Sequence, residues 1–336
     1  MQKRLLPCFL VLILVLLGGC APKFKPFYKE IPISPLAPGS IYIDGNIIYD
    51  ESVKLINSAK KSIYVEQAEF DDPRLIQLLI QKARSGIEIR ILLDQWLRGN
   101  QTTLDELKSQ NISVQFYPAR KGQYDRVKLL VVDHEQALIY GSSWTENGKN
   151  SHTVAVKLTD RAAWKVANVF SKDWEFTTTL ALNVPKTSLL PEDNITLATN
   201  ANIKQQILEQ ISASTNAIWV ETSLVSEQDT VQSLIDAANK GRDIRLILDQ
   251  TEAKENPLTI EKLKKNGIQI RYYSASKPLR LNMGLFDGKT FILSSSSWSY
   301  YSFVINHELA LTVPSPSATE KLVELFNQDW NSSSNN

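Results

Sequence analysis

The chain has 336 residues, with 37 Lys and Arg against 36 Asp and Glu, and 43% of its residues are hydrophobic. That composition excludes a disordered, collagen-like or disulfide-stapled chain. A formal charge of +1 gives no overall pull toward nucleic acid, so nucleic acid is not an expected partner and any basic site must be local. The cysteines are Cys8 and Cys20, and the histidines His134, His152 and His307, too few for a Cys/His zinc cluster. Neither a metal nor another cofactor is expected.

The first element is a leader. Lys3 and Arg4 form a basic start, Leu5 to Leu17 is an apolar run broken by Pro7, and Gly18 and Gly19 follow. Residues 1–19 read as a secretory signal, too short for a comfortable membrane span. Leu17-Gly18-Gly19-Cys20 resembles the bacterial lipobox. The resemblance implies cleavage before Cys20 and its lipidation, hence an exported protein anchored by lipid to the extracytoplasmic side of a bacterial membrane. Pro22, Pro26, Pro32, Pro35 and Pro38 make residues 20–40 an expected semi-rigid tether.

The remainder repeats itself. Ile89-Arg90-Ile91-Leu92-Leu93-Asp94-Gln95 recurs as Ile244-Arg245-Leu246-Ile247-Leu248-Asp249-Gln250, and Val65-Glu66 as Val220-Glu221, both 155 residues on. Phe170-Ser171-Lys172-Asp173-Trp174 recurs as Phe326-Asn327-Gln328-Asp329-Trp330, 156 residues on. So long a period indicates a duplicated half-domain. The expected layout is a first half over 41–179, a connector over 180–199 and a second half over 200–332. In each half, helices at 51–60, 73–85 and 104–110 (203–212, 230–239 and 260–265 in the copy) alternate with strands. The apolar strands at 87–94 and 244–249 are expected to be buried on both faces. Helices over 161–176 and 319–330 close the halves. Such alternation predicts an α/β fold with helix-covered mixed sheets.

After the third strand of each half stand Arg126-Val127-Lys128 with Asp133, then Gly141-Ser142-Ser143-Trp144, and in the copy Arg280-Leu281-Asn282 with Asp287, then Ser295-Ser296-Ser297-Trp298. This resembles the phospholipase D superfamily, whose signature is H-x-K-x-x-x-x-D followed by G-S-x-N. The resemblance implies two pseudo-symmetric αβα halves and a phosphodiester site between them. In that site one motif histidine attacks phosphorus and the other moves protons. It also implies a monomer, since relatives with a single motif dimerise.

The departures fall on the reacting groups. Arg126 and Arg280 replace both histidines, Asn282 the second lysine, and Trp144 and Trp298 the asparagines. A guanidinium stays protonated and has no free lone pair, so it serves neither as nucleophile nor as acid–base catalyst. The residues left predict phosphate binding without cleavage by Arg126, Lys128, Arg280, Ser142 and Ser296, with a phospholipid headgroup as one candidate ligand. Alternatively, Asp133, Asp287 or Glu308 neutralise the arginines internally. A rival reading, an active phosphodiesterase (phospholipase D, cardiolipin synthase-like or nuclease), relocates catalysis to His152 and His307, whereas the simpler reading of these histidines is that they pack or pair with nearby carboxylates. The rival takes His152 as the counterpart of Glu308, where relatives carry a glutamate that supports the motif histidine. A third reading is a purely structural envelope lipoprotein. The aromatic loop at 299–305 is read as a packed lid, with contact to a bilayer as the alternative. Arg98, Arg120, Lys121 and Lys277 are read as a solvated rim.

Overall fold

A computed structural model of the chain describes residues 33–185 and 190–335. The leader, Cys20, residues 20–32 of the tether and residues 186–189 of the connector lie outside the described residues. No helix among the described residues is long and apolar enough to cross a membrane.

The first half runs β1 (Ile41–Ile43), α1 (Gly45–Ser58), β2 (Ser62–Gln67), α2 (Pro73–Arg84), β3 (Glu88–Asp94), α3 (Gly99–Ser109), β4 (Ser113–Tyr117), β5 (Lys128–Val132), β6 (Gln136–Tyr140), α4 (Glu146–Lys149), β7 (Val154–Thr159) and α5 (Asp160–Thr178). The second runs β8 (Thr196–Thr199), α6 (Ala201–Ala213), β9 (Ala217–Thr222), α7 (Gln228–Asn239), β10 (Asp243–Leu248), α8 (Glu252–Glu255), α9 (Pro257–Lys265), β11 (Gln269–Tyr272), β12 (Met283–Phe286), β13 (Thr290–Ser294), β14 (Leu309–Val313) and α10 (Pro316–Ser332). Each half builds a seven-stranded sheet, ordered β1-β7-β6-β5-β2-β3-β4 and β8-β14-β13-β12-β9-β10-β11. The two orders are the same, as the repeat requires. Strands joined by α2 or α3 pair in parallel, and β5 and β12 run antiparallel to β2 and β9. The sheets are therefore mixed.

Side chains sort by the two-residue period of a strand. Along β5, Leu130 and Val132 pack under the outer helices with Leu75, Leu79 and Ile91. Leu129 and Val131 face the other way, into a core that holds Phe170 and Trp174 of α5 together with Phe326 and Trp330 of α10. The two halves thus share one central core, with α5 and α10 between the sheets. Trp174 and Trp330 are buried there. Strand β3 is buried on both faces from Ile91 onward.

Two boundaries differ from the sequence expectation. Residues 196–199 of the connector are strand β8, which pairs with β14 at the edge of the second sheet. Residues 33–40 of the tether lie against the second half. Ser34 N–H donates to Pro314 O at 2.7 Å, and Ser315 Oγ donates to Leu36 O at 2.8 Å. Proline shapes this segment without freeing it, because its backbone groups find partners on the fold.

Candidate functional site

The halves meet by exchanging short extended segments. Arg126 N–H donates to His307 O at 2.8 Å, and His307 N–H donates to Tyr124 O at 2.8 Å. In the symmetric copy, Arg280 N–H donates to His152 O and His152 N–H to Pro278 O, each at 2.9 Å. The backbone before each motif strand is therefore gripped by the other half. This places Arg126, Lys128, Arg280, Asn282, Ser142 and Glu308 around one cavity of about 390 Å³. Gly141 lies against the backbone of the opposite half at Arg280. A Cβ there would come within 2.6 Å of Thr153 Oγ1 and 2.7 Å of Arg280 O, so no larger residue fits without moving a half.

Three cations, Arg126, Lys128 and Arg280, and two carboxylates, Glu69 and Glu308, line the cavity. Among the described residues no carboxylate lies within 4.0 Å of either guanidinium. Arg126 rests over the Tyr124 ring at 4.7 Å. Lys128 Nζ donates to Arg126 O at 2.9 Å. Burial, opposed by Glu308 and helped by Arg126 and Arg280, pulls the Lys128 pKa down to about 8. Burial pushes Glu308 up, against the pull of Lys128 and the hydrogen bonds of Ser295 and Asn306. Asn282 is held: its Oδ1 accepts from Thr222 Oγ1 at 2.7 Å, and its Nδ2 donates to Ser295 O at 3.3 Å.

Several sequence candidates lie elsewhere. Asp133 and Asp287 do not neutralise the arginines. They sit at the far ends of the motif strands, where Asp133 accepts the N–H groups of Lys60, Lys61 and Ser62 at 2.7–2.9 Å. Asp287 does the same for Thr215, Asn216 and Ala217. Ser296 does not line the cavity. Its Oγ is buried without a hydrogen-bond partner among the described residues, while its neighbours Ser295 and Ser297 face the cavity. Trp144 and Trp298 are core residues, and Asn147, one helical turn past Trp144, lines the cavity. Lys277 pairs with Asp44 across the halves while its side chain stays 42% exposed, as a rim residue would. In the aromatic loop Phe303 is buried, whereas Tyr300, Tyr301 and Val304 are exposed beside the cavity-lining Ser302 and Asn306.

Neither His152 nor His307 lines the cavity, and the two are each other's counterparts, so Thr153 is the counterpart of Glu308. Each imidazole enters a carboxylate nest of the opposite half. His152 Nε2 lies 2.9 Å from Asp329 Oδ2 and 3.5 Å from Glu221 Oε1, with its ring stacked on Tyr273. His307 Nε2 lies 3.2 Å from Asp173 Oδ2 and 3.8 Å from Glu66 Oε1, with its ring stacked on Tyr117. Burial opposes the imidazolium of His152, but Asp329 and Glu221 outweigh it and push the pKa up to about 9. Burial, then the charges of Asp173 and Asp125, hold Glu66 well above the usual carboxylate range. Sequence reading missed these acids, although a signal was present: a charged residue recurring at the same place in two otherwise apolar strands, and an Asp before each repeated Trp.

Two αβα halves around a shared cleft define the phospholipase D class of fold. The family model described as "Cardiolipin synthase, PLD-like domain" matches residues 53–174 and 207–330, and the chain belongs to that family, within the phospholipase D superfamily. The chain is 22% identical over 343 residues to a cardiolipin synthase of Clostridium perfringens strain SM101, covering 86% of this chain and 69% of the relative. It is 23% identical over 250 residues to the cardiolipin synthase of C. perfringens strain 13, covering 62% of this chain and only 52% of the relative. Among solved structures, the phosphatidylserine synthase of Haemophilus influenzae Rd KW20 has the same fold (TM-score 0.70, 12% identity, covering 90% of this chain and 88% of that one). So does the polyphosphate kinase of Porphyromonas gingivalis (TM-score 0.66, 12% identity, covering 87% of this chain and 47% of that one).

Proposed function

We propose that this protein is an exported, lipid-anchored member of the family that holds a phosphate-bearing ligand, foremost a phospholipid headgroup, between its halves without cleaving it. The observation that carries the reading is the cavity itself: Arg126, Arg280 and Lys128 face one space, with no carboxylate pairing either guanidinium among the described residues. Arginine's planar fork suits phosphate oxygens, and a bound anion relieves the mutual repulsion of the cations. The exposed Tyr300, Tyr301 and Val304 beside the cavity fit the interfacial region of a bilayer. The names of the relatives support a phospholipid-related ligand, and the lipobox-like sequence supports anchoring at Cys20.

The test is binding of the purified protein to vesicles containing phosphatidylglycerol or cardiolipin, against phosphatidylcholine alone. Headgroup release and new phospholipid are followed in parallel. Binding that Arg126→Ala or Arg280→Ala removes, without turnover, is the expected result. Undiminished binding by both variants favours a purely structural role.

One observation keeps an enzyme reading. Lys128 and Glu308 are buried against the cavity, where burial lowers the proton affinity of Lys128 and raises that of Glu308, and that pairing of an acid with a base suits proton transfer. Turnover abolished by Lys128→Met or Glu308→Gln would establish it.

A further inference from the structure

The two histidine nests are not equivalent. His152 meets two carboxylates, Glu221 and Asp329. His307 meets three: Glu66, Asp173 and Asp125, whose counterpart in the second half is the apolar Leu279. Glu66 and Asp125 are 0% exposed and His307 3%. Both oxygens of Glu66, Oδ2 of Asp125, Oδ2 of Asp173 and Nε2 of His307 are buried without a hydrogen bond among the described residues. Three carboxylates out of water are strongly unfavourable unless bound protons, the imidazolium of His307 or a metal cation neutralise them.

The orientation of His307 is set from behind. Its Nδ1 lies 3.0 Å from Asn200 Oδ1, and the same oxygen accepts Glu308 N–H at 3.0 Å, which identifies it as the amide oxygen. Nδ1 therefore carries the proton, and Nε2 points at the carboxylates. That is how a metal-binding histidine is usually held. The ligand atoms of Glu66, Asp125 and His307 lie within 4.8 Å of one another. The 3.8 Å from His307 Nε2 to Glu66 Oε1 lies within about half an ångström of the edge of a tetrahedron built on zinc bonds of about 2.0–2.1 Å.

We propose that Glu66, Asp125 and His307 bind one divalent transition cation of the zinc class, buried where the halves meet, with the Asp173 carboxylate alongside. Two ligands come from the first half and one from the second, so the ion ties them together next to Arg126. Counting cysteines and histidines missed this site because it uses one histidine and acids that are far apart in sequence.

The test is titration of the chelator-treated full chain with zinc chloride, read by calorimetry and metal content, with cobalt(II) absorption as a spectroscopic probe. One equivalent is expected, in a sulfur-free shell with a single imidazole, and it should raise the melting temperature. Asp125→Asn should weaken binding by at least about tenfold, the loss that removing even an outer partner of a metal ligand brings. His152→Gln should leave binding unchanged. Absence of binding, a shell containing thiolate or several imidazoles, or an equivalent undiminished in both Asp125→Asn and His307→Gln overturns the proposal. The cobalt spectrum of the unmutated protein decides the matter if either variant fails to fold.

Discussion

Lys128 is the cavity's one cation whose charge changes in an accessible pH range. Burial lowers its pKa to about 8, while Arg126 and Arg280 stay charged. Affinity for an anion such as inorganic phosphate should therefore be highest below pH 8 and fall as Lys128 loses its proton above it. Lys128→Met should bind more weakly and lose that step, which calorimetric titration from pH 6.5 to 9.5 would reveal. At this scale the sequence announced the cations, because the motif spacing set them apart. It misled on Ser296 and on the counterpart of Glu308, whereas the histidines pair with carboxylates, as their simpler reading has it. Which face of a strand end looks into a cavity depends on a one-residue register, and His152 is one residue out of line with Glu308.

Asp133 and Asp287 belong to the strands. Each carboxylate accepts the N–H groups that begin β2 or β9, with its own backbone at positive φ (54° and 53°). Such charge-assisted bonds contribute more than neutral ones. Asp133→Ala should destabilise the protein by roughly 2–4 kcal/mol, from the lost bonds and the left-handed backbone that alanine disfavours. Anion affinity per folded molecule should not change. Denaturant unfolding beside calorimetry checks both halves of that statement. The helices and strands themselves were legible, since the apolar periods and the duplication reinforced each other. Strand β8 was not, because Thr196–Thr199 is a short edge strand in a polar, proline-flanked stretch, and only its pairing with β14 defines it.

Over the whole molecule, the halves are held by a shared core, exchanged backbone bonds and histidines planted in the opposite half. The His152 contact makes that union pH-dependent. Its pKa is raised from 6.5 to about 9, so its contribution is fully present below about pH 6.5 and disappears as pH rises through 9. The size is roughly 3 kcal/mol. His152→Gln should be markedly less stable than the unmutated chain at pH 6 and nearly its equal at pH 9.5, as chemical unfolding at the two pH values would report. Composition and repeat allowed the two-half plan to be foreseen. The cross-half pairing was not foreseeable, because residues brought together from distant positions leave no local pattern.

Fusing two copies into one chain has released them from having to be identical at the cleft. Lys128 and Glu308 have Asn282 and Thr153 as their counterparts, so the buried acid and lysine stand on one side of the pocket only. A dimer of identical subunits would accept a lopsided guest equally well either way round. A pocket whose two sides differ distinguishes the ends of such a guest.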